Sequence, residues 1–434
     1  MFIKCLYTIL LYSTFVYIPI FRSYLKESAS SVEPEPAFPP TANHQTDKFS
    51  TVRQRFATRH AQLEDVCHSY HRLLANTIDF RPAACLPLAE NQLTWCSMPK
   101  VASTYMNDLF KQIFQLKTTP YASGLAKRRR NPSYVCHPTI NKTHLAYSDR
   151  SSKSSRSIQH NSNSDQHFTF LFVREPYSRL YSAYLDKVVA DPYIWVQLGV
   201  HIKSLSSPHT PVTCGHDASF REFVQYFIHT KQTGESPNIH FKPQMDMCDI
   251  CRQRYDFIGH IETLYEDLDF ILQKAGASWN VTIDPEKHTI AAKCRDFVEH
   301  YNTSDYSQYY SKPNSPQYKS NYSHCVTLCD GLRQVWWSFH ARGLIADHLE
   351  FPAQDLCRDD VTGEEFANLA LAAHQSSVQS VGRERLSGQK HEHMRSLYNT
   401  VSRDTRGTLR QMLSLDFLAF GYDPDLSEVF TESS

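Results

Sequence analysis

The run FTFLFV (Phe168–Val173) is of strand length and almost wholly apolar, and Tyr177, Leu180, Tyr181, Tyr184, Leu185 and Val188 follow it at helical spacing. A strand that does not alternate must be buried on both faces, and a helix that leaves its end at once supplies one of the covers. Pro176 fits the first turn of that helix, where its missing N–H costs nothing. LTWCSM (93–98) repeats the arrangement: after Pro99 and Lys100, the residues Met106, Leu109, Phe110, Ile113 and Phe114 recur at helical spacing, with Thr104 as the expected N-cap. Two strand-loop-helix units predict an α/β fold, a central parallel sheet flanked by helices on both sides. Phe220, Phe223, Val224, Phe227 and Ile228 mark another helix, and YDFIGHIE (255–262) a third strand with its helix at 267–274. A last helix, 406–415, leads into DFLAFGYDP (416–424).

The N-terminus carries a different signal. Residues 5–21 run 17 residues without a charge between Lys4 and Arg22. As a helix this is about 25 Å long, slightly short of the roughly 27 Å core of early secretory membranes. We expect a short cytoplasmic tail (1–4), a membrane-spanning signal anchor (5–21), a Pro-containing stem (22–60) and a folded lumenal body (61–426). The alternative for the apolar run is a cleaved signal peptide, with Ser28-Ala29-Ser30 as the cleavage site. Both readings place the body in the secretory lumen.

Cysteines agree with that compartment. Cys67, Cys85, Cys96, Cys136, Cys214, Cys248, Cys251, Cys294, Cys325, Cys329 and Cys357 follow the anchor, and an oxidising lumen would pair most of them, leaving at least one over. Cys248 and Cys251, with Cys325 and Cys329, are also a possible zinc set, although the second pair lacks the two-residue spacing. Sequons at Asn141, Asn280, Asn302 and Asn321 are candidate glycosylation sites. Two stretches read as insertions: the Ser/Asn-rich 148–166, and 301–388, whose first part is rich in Tyr, Ser and Asn. With 45 basic against 45 acidic residues the net charge is +0, which gives no global attraction to a nucleic-acid backbone. Any polyanion must meet a local patch, and Lys127 to Arg130 is one candidate.

Two loops carry the chemistry. PKVASTY (99–105) places a lysine and two hydroxyls at the N-terminus of a helix that follows a strand, where free backbone N–H groups and the helix dipole favour an anion. VREPYSRLYSAY (173–184) places Arg174 at a strand end, Arg179 one turn into the next helix and Ser182 on that helix. Arg174 can fork onto a phosphate while Ser182 donates beside it. Anion sites on successive strand ends describe a crevice for a nucleotide with phosphates at two places.

These two loops resemble the 5′-phosphosulfate and 3′-phosphate loops of Golgi carbohydrate sulfotransferases, most closely the chondroitin/dermatan 4-O-sulfotransferase branch. Residues 238–276, with His240-x-x-Pro243-Gln244, Cys248-x-x-Cys251 and Tyr255-Asp256-x-Ile258-Gly259, and residues 397–424, with Asp416-Phe417-x-x-Phe420-Gly421-Tyr422, are similar to further segments of the family and come in the same order. The resemblance implies a P-loop-like sulfotransferase fold in the Golgi membrane, single-pass and type II, with 3′-phosphoadenosine-5′-phosphosulfate as sulfate donor, no metal, and a glycan such as a glycosaminoglycan as acceptor. By position it assigns Pro99, Lys100, Val101, Ala102, Ser103 and Thr104 to the 5′-phosphosulfate, and Arg174 and Ser182 to the 3′-phosphate, with Arg179 beside them at the donor. Lys100 is the expected catalytic cation. A sugar hydroxyl is a poor nucleophile, and a base near neutrality should take its proton. His240 is the candidate, as base or substrate contact; Glu262 and Glu175 are alternatives, and His260 reads as a core histidine.

The chain departs from the family after Thr104, where Tyr105-Met106-Asn107-Asp108 replaces Asn-Trp-Lys-Arg and Ser103 replaces a cysteine. These changes leave a second class open, a glycan-binding relative without catalysis. A P-loop kinase is disfavoured by the lack of a Walker loop and of a magnesium-binding acidic motif.

Overall fold

The computed structural model describes residues 50–70, 85–88, 93–114, 168–207, 209–235, 238–277, 283–302 and 325–425. The expected strands β2 (Leu93–Cys96) and β3 (Phe168–Val173) lie parallel, Leu93 opposite Phe168 and Cys96 opposite Leu171. β4 (Phe257–His260) continues the sheet parallel to β3, with Val173 opposite His260. β1 (Cys85–Leu88), which the sequence did not announce, runs antiparallel on the outer edge of β2. It is four residues long and contains Pro87, too short to show alternation and tolerated only on an edge.

The helices are α1 (Ser50–Ser69), α2 (Ser103–Ile113), α3 (Pro176–Ala183), α4 (Val200–Ser206), α5 (Phe220–Thr233), α6 (Leu264–Lys274), α7 (Pro285–Asn302), α8 (Leu328–Ala341), α9 (Gly363–Ser380), α10 (Gly382–Asn399), α11 (Arg403–Met412) and α12 (Ser414–Phe420), with single turns between some of them. Trp95, Phe170 and Phe257 stand side by side across the sheet. On that row α2 lays Phe110, 5.1 Å from Trp95 and 5.9 Å from Phe170 between ring centroids. α1 and α6 bring Phe56 and Phe270 to Phe257, at 5.3 and 5.7 Å. The alternate residues Leu171 and Val173 are buried as well, so both faces are covered.

α1 corrects the expected stem. Residues 50–60 belong to the folded body, because Val52 and Phe56 are buried and Arg59 donates to the Ile258 carbonyl at 3.1 Å and to Asp267 at 2.6 Å. Charged residues between these anchors hide the helical stripe. Residues 325–388, expected as part of an insertion, are mostly helical and build their own core: α7, α8 and α9 close Phe297, Val335, Trp336, Phe339 and Phe366 around Trp195. α3 leads without a break into a π-helical turn, Tyr184–Val189, a distortion that often marks functional sites.

Among the described residues four disulfides tie these layers together: Cys67–Cys251, Cys96–Cys248, Cys214–Cys325 and Cys329–Cys357. They overturn the zinc alternative, since each cysteine of that set has a sulfur partner elsewhere. Cys294 is free and buried. Cys67 and Cys251 are 184 residues apart, but with Cys96–Cys248 intact their bond closes a loop of only about 30 residues, so the double variant Cys67→Ser/Cys251→Ser should lose about 3 to 4 kcal/mol of stability through the larger freedom of its unfolded chain. The urea midpoint measures this, and an unchanged midpoint contradicts it.

Among the described residues no helix is long and apolar enough to cross a membrane. The expected anchor, most of the stem, residues 148–166, Lys127 to Arg130, Asn141, Asn280 and Asn321 lie outside the described residues. Asn302 is the exposed last residue of α7.

Candidate functional site

The carboxyl ends of β2, β3 and β4 open on the same edge of the sheet and deliver Lys100, Arg174 and Glu262 to it. Between β2 and α2 the backbone takes positive φ at two residues that are not glycine, Lys100 (70°) and Ala102 (56°). Such alternation of handedness turns successive N–H groups to one side and makes a concave anion nest, held here at the expense of local strain. Ala102, not Thr104, is the N-cap of α2, and no side chain caps it. The left-handed turn starts the helix one residue before Thr104 can cap it. The first N–H groups of the helix are thus left for a ligand. Val101, fully buried, anchors the loop from below.

Arg174 is fixed through its backbone. Its N–H donates to Gln244 Oε1 and its carbonyl accepts from Gln244 Nε2, both at 2.9 Å. Gln244 is held in turn by the Asp416 carboxylate, which accepts from the N–H groups of Gln244 and Met245 at 2.8 and 2.9 Å. The Pro-Gln and Asp-Phe motifs are therefore one assembly that aims Arg174, whose Nη1 donates to the Lys100 carbonyl at 3.3 Å.

Arg179 is not placed to take a phosphate. It is 3% exposed, and its guanidinium donates to the Pro99 carbonyl (3.1 Å), the Lys242 carbonyl (2.7 Å) and Met247 Sδ (3.5 Å). Burial pulls its pKa down to about 10, against the opposing pull of Asp416. It clamps the donor loop to the His240 segment and is a positioning residue. Ser182 lies on α3, 8% exposed.

Glu175 and Glu262 are committed elsewhere than to proton transfer. Glu175 caps α3, accepting from Tyr177 N and Ser178 N at 2.8 and 2.6 Å. Glu262 accepts from Glu175 N at 3.2 Å and from the Tyr422 hydroxyl at 2.9 Å. His260 stacks on Tyr422 at 4.9 Å, and burial beside Arg59 and Arg55 pulls its pKa down to about 3, as suits a core histidine.

The π-helical turn supplies what the motifs did not announce. Lys100 Nζ pairs with Asp186, whose other oxygen takes Lys293 Nζ at 2.5 Å; Lys187 pairs with Asp191 at 2.7 Å. Burial pulls the pKa of Lys100 down to about 7, with Lys187 and Lys293 adding to the fall and Asp186 opposing it. Burial alone would raise the Asp186 carboxyl, but Lys100, Lys293 and Lys187 hold it well below its ordinary value. His240 faces the same group. Burial, then Lys187 and Lys100, keep its imidazole neutral, the form a base requires, and its Nδ1 is buried without a partner.

The structure thus brings together Lys100, Arg174 and His240, and adds Asp186, Lys187 and Lys293. Two charges inside the apolar stretch Leu185–Val189 were a signal for the first pair; nothing local singles out Lys293. The departures at 105–108 are absorbed by packing. Tyr105, Met106 and Asn107 are buried, and Asp108 pairs with His288 of α7 at 2.5 Å.

Among the described residues no cluster of His, Cys, Asp and Glu is arranged to hold a metal. Residues 88–321 match the family model described as "Sulfotransferase family". Curated relatives include carbohydrate sulfotransferase 11 of Mus musculus (29% identical, 44% of this chain and 52% of the relative), carbohydrate sulfotransferase 14 of Danio rerio (32%, 36% and 43%) and carbohydrate sulfotransferase 12 of Xenopus laevis (29%, 42% and 46%). The chain spans about half the length of the curated relatives it matches. No solved structure matches it. With the family model covering more than half of its length, including both anion loops and the His240 segment, the chain belongs to the sulfotransferase family.

Proposed function

We propose that this chain transfers a sulfuryl group from 3′-phosphoadenosine-5′-phosphosulfate to a glycan hydroxyl, the acceptor being the 4-O position of N-acetylgalactosamine in chondroitin or dermatan. It works in the Golgi lumen behind the N-terminal anchor. The observation that carries the reading is the apposition of two anion sites on neighbouring parallel strands, with Arg174 bonded to the Lys100 carbonyl. Lys100 and the nest of residues 99–104 suit the phosphosulfate, and Arg174 with Ser182 the 3′-phosphate. The relatives' names support a carbohydrate acceptor, the four motifs the galactosaminoglycan branch, and the disulfides an oxidising lumen.

In this reading the bond from sulfur to the bridging phosphate oxygen breaks as the sugar oxygen bonds to sulfur. The sugar proton passes to His240. The charge left on the bridging oxygen falls to Lys100, in a cleft where a fixed cation acts with little screening. The test is incubation of the purified protein with labelled donor and a panel of desulfated glycans, chondroitin among them, followed by linkage analysis. Transfer to the 4-position of N-acetylgalactosamine is expected. No transfer to any glycan, with nucleotide binding intact, refutes the enzyme.

Lys100 also makes donor binding depend on pH. Its pKa of about 7 leaves it largely neutral at pH 8, and an anion beside it restores the proton. Binding of 3′-phosphoadenosine-5′-phosphate should take up a proton at pH 8 but not at pH 6, and affinity should fall as pH rises above 7. Calorimetry in buffers of different ionisation enthalpy measures the uptake; Lys100→Arg should lower it by the share that Lys100 takes, and an uptake unchanged in that variant contradicts the assignment.

A further inference from the structure

The end of α8 meets the site away from every motif, beyond the residues that the family model covers. Tyr181, the residue before Ser182, donates its hydroxyl to the Ala341 carbonyl at 2.7 Å and fixes Arg342 against α3. Gly343 follows with φ 65°, and a Cβ there would lie 2.1 Å from the Leu386 carbonyl oxygen and 3.2 Å from Lys390 Cβ. Only glycine lets α8 end so close to α10. Gln389 closes the contact, donating to the His340 and Ile345 carbonyls at 2.8 Å each. Arg342 and Lys390 are therefore held as neighbours by backbone contacts.

Both face Arg174. Arg342 lowers the pKa of both Arg174 and Lys390, and burial and then Arg174 pull Lys390 down to about 8. Of the carboxylates within reach of Arg174 and Lys390, Glu175 caps α3 and Glu262 serves Glu175 N and Tyr422, while Asp186 beside Arg342 is held by Lys100 and Lys293. Arg342 Nη2 is buried with no acceptor. Gathered cations with an unused buried N–H call for an anion of more than one charge and several acceptor oxygens.

We propose that Arg342 and Lys390 complete with Arg174 a subsite for a dianionic phosphate monoester, which, resting on the function proposed above, is the 3′-phosphate of the donor. The C-terminal helices are then part of the nucleotide site. Calorimetry on the intact protein with adenosine 3′,5′-bisphosphate and with adenosine 5′-phosphosulfate, which lacks the 3′-phosphate, tests it. Arg342→Gln and Lys390→Met should each bind the bisphosphate about tenfold or more weakly yet stay within about twofold of the parent for the phosphosulfate, with partial recovery in Arg342→Lys. Unchanged bisphosphate affinity, or equal losses for both nucleotides, overturns the subsite. Should Arg342→Gln melt well below the parent, Lys390→Met decides alone. A parent protein that binds neither nucleotide overturns the donor reading itself, a different result from a parent that binds and variants that do not care.

Discussion

Lys100→Ala is expected to lower kcat for sulfuryl transfer by about two to three orders of magnitude, roughly 3 to 4 kcal/mol, the usual loss when one fixed donor to a developing oxyanion is removed. The fold should survive, because Asp186 keeps Lys293 at 2.5 Å and Lys187 at 3.9 Å. A melting temperature near that of the parent with a collapsed kcat is the expected pair of results. A rate within about threefold of the parent would remove Lys100 from the chemistry.

Arg179→Ala is expected to fail in the opposite way. Its side chain is buried and satisfies two carbonyls and a thioether from two loops. Its loss leaves those carbonyls and the Asp416 charge beside it without their cation, and should lower stability by about 3 to 5 kcal/mol. Donor binding would fall with the fold. Arg174→Ala is the contrast: transfer lost, melting little changed. If Arg179→Ala melts like the parent and loses only affinity for the nucleotide, Arg179 is a ligand and the clamp is wrong.

The difference between these arginines shows what the sequence could and could not disclose. Both stand in one motif, five residues apart, and both look able to hold a phosphate. Only the third dimension shows that Arg179 points at Pro99 and Lys242, because its partners lie 80 and 63 residues away. The two strand-loop-helix units were legible because each is local: an apolar run, a turn, a stripe. β1 was not, since four residues around a proline carry no period. α1 was hidden because Arg59, a charge, occupies a core position of its stripe, neutralised by Asp267, 208 residues away. His240 was legible through its motif and lies beside Lys100 and Asp186. Lys293, Arg342 and Lys390 were not, because each sits on a helix, or in the case of Arg342 just past its end, where the local pattern has no marker for the site it faces.

The Cys96–Cys248 bond bears on when activity can begin. Cys96 ends the strand that leads into the nest, and Cys248 lies just past the segment of His240 and Gln244; the bond between them spans 152 residues. A nascent chain must therefore be synthesised past β3 at least as far as Cys248, and its thiols oxidised, before the two halves of the site are secured to each other. If the proposed transfer is its function, competence depends on this oxidation: it is acquired under oxidising conditions and withheld from chains kept reduced.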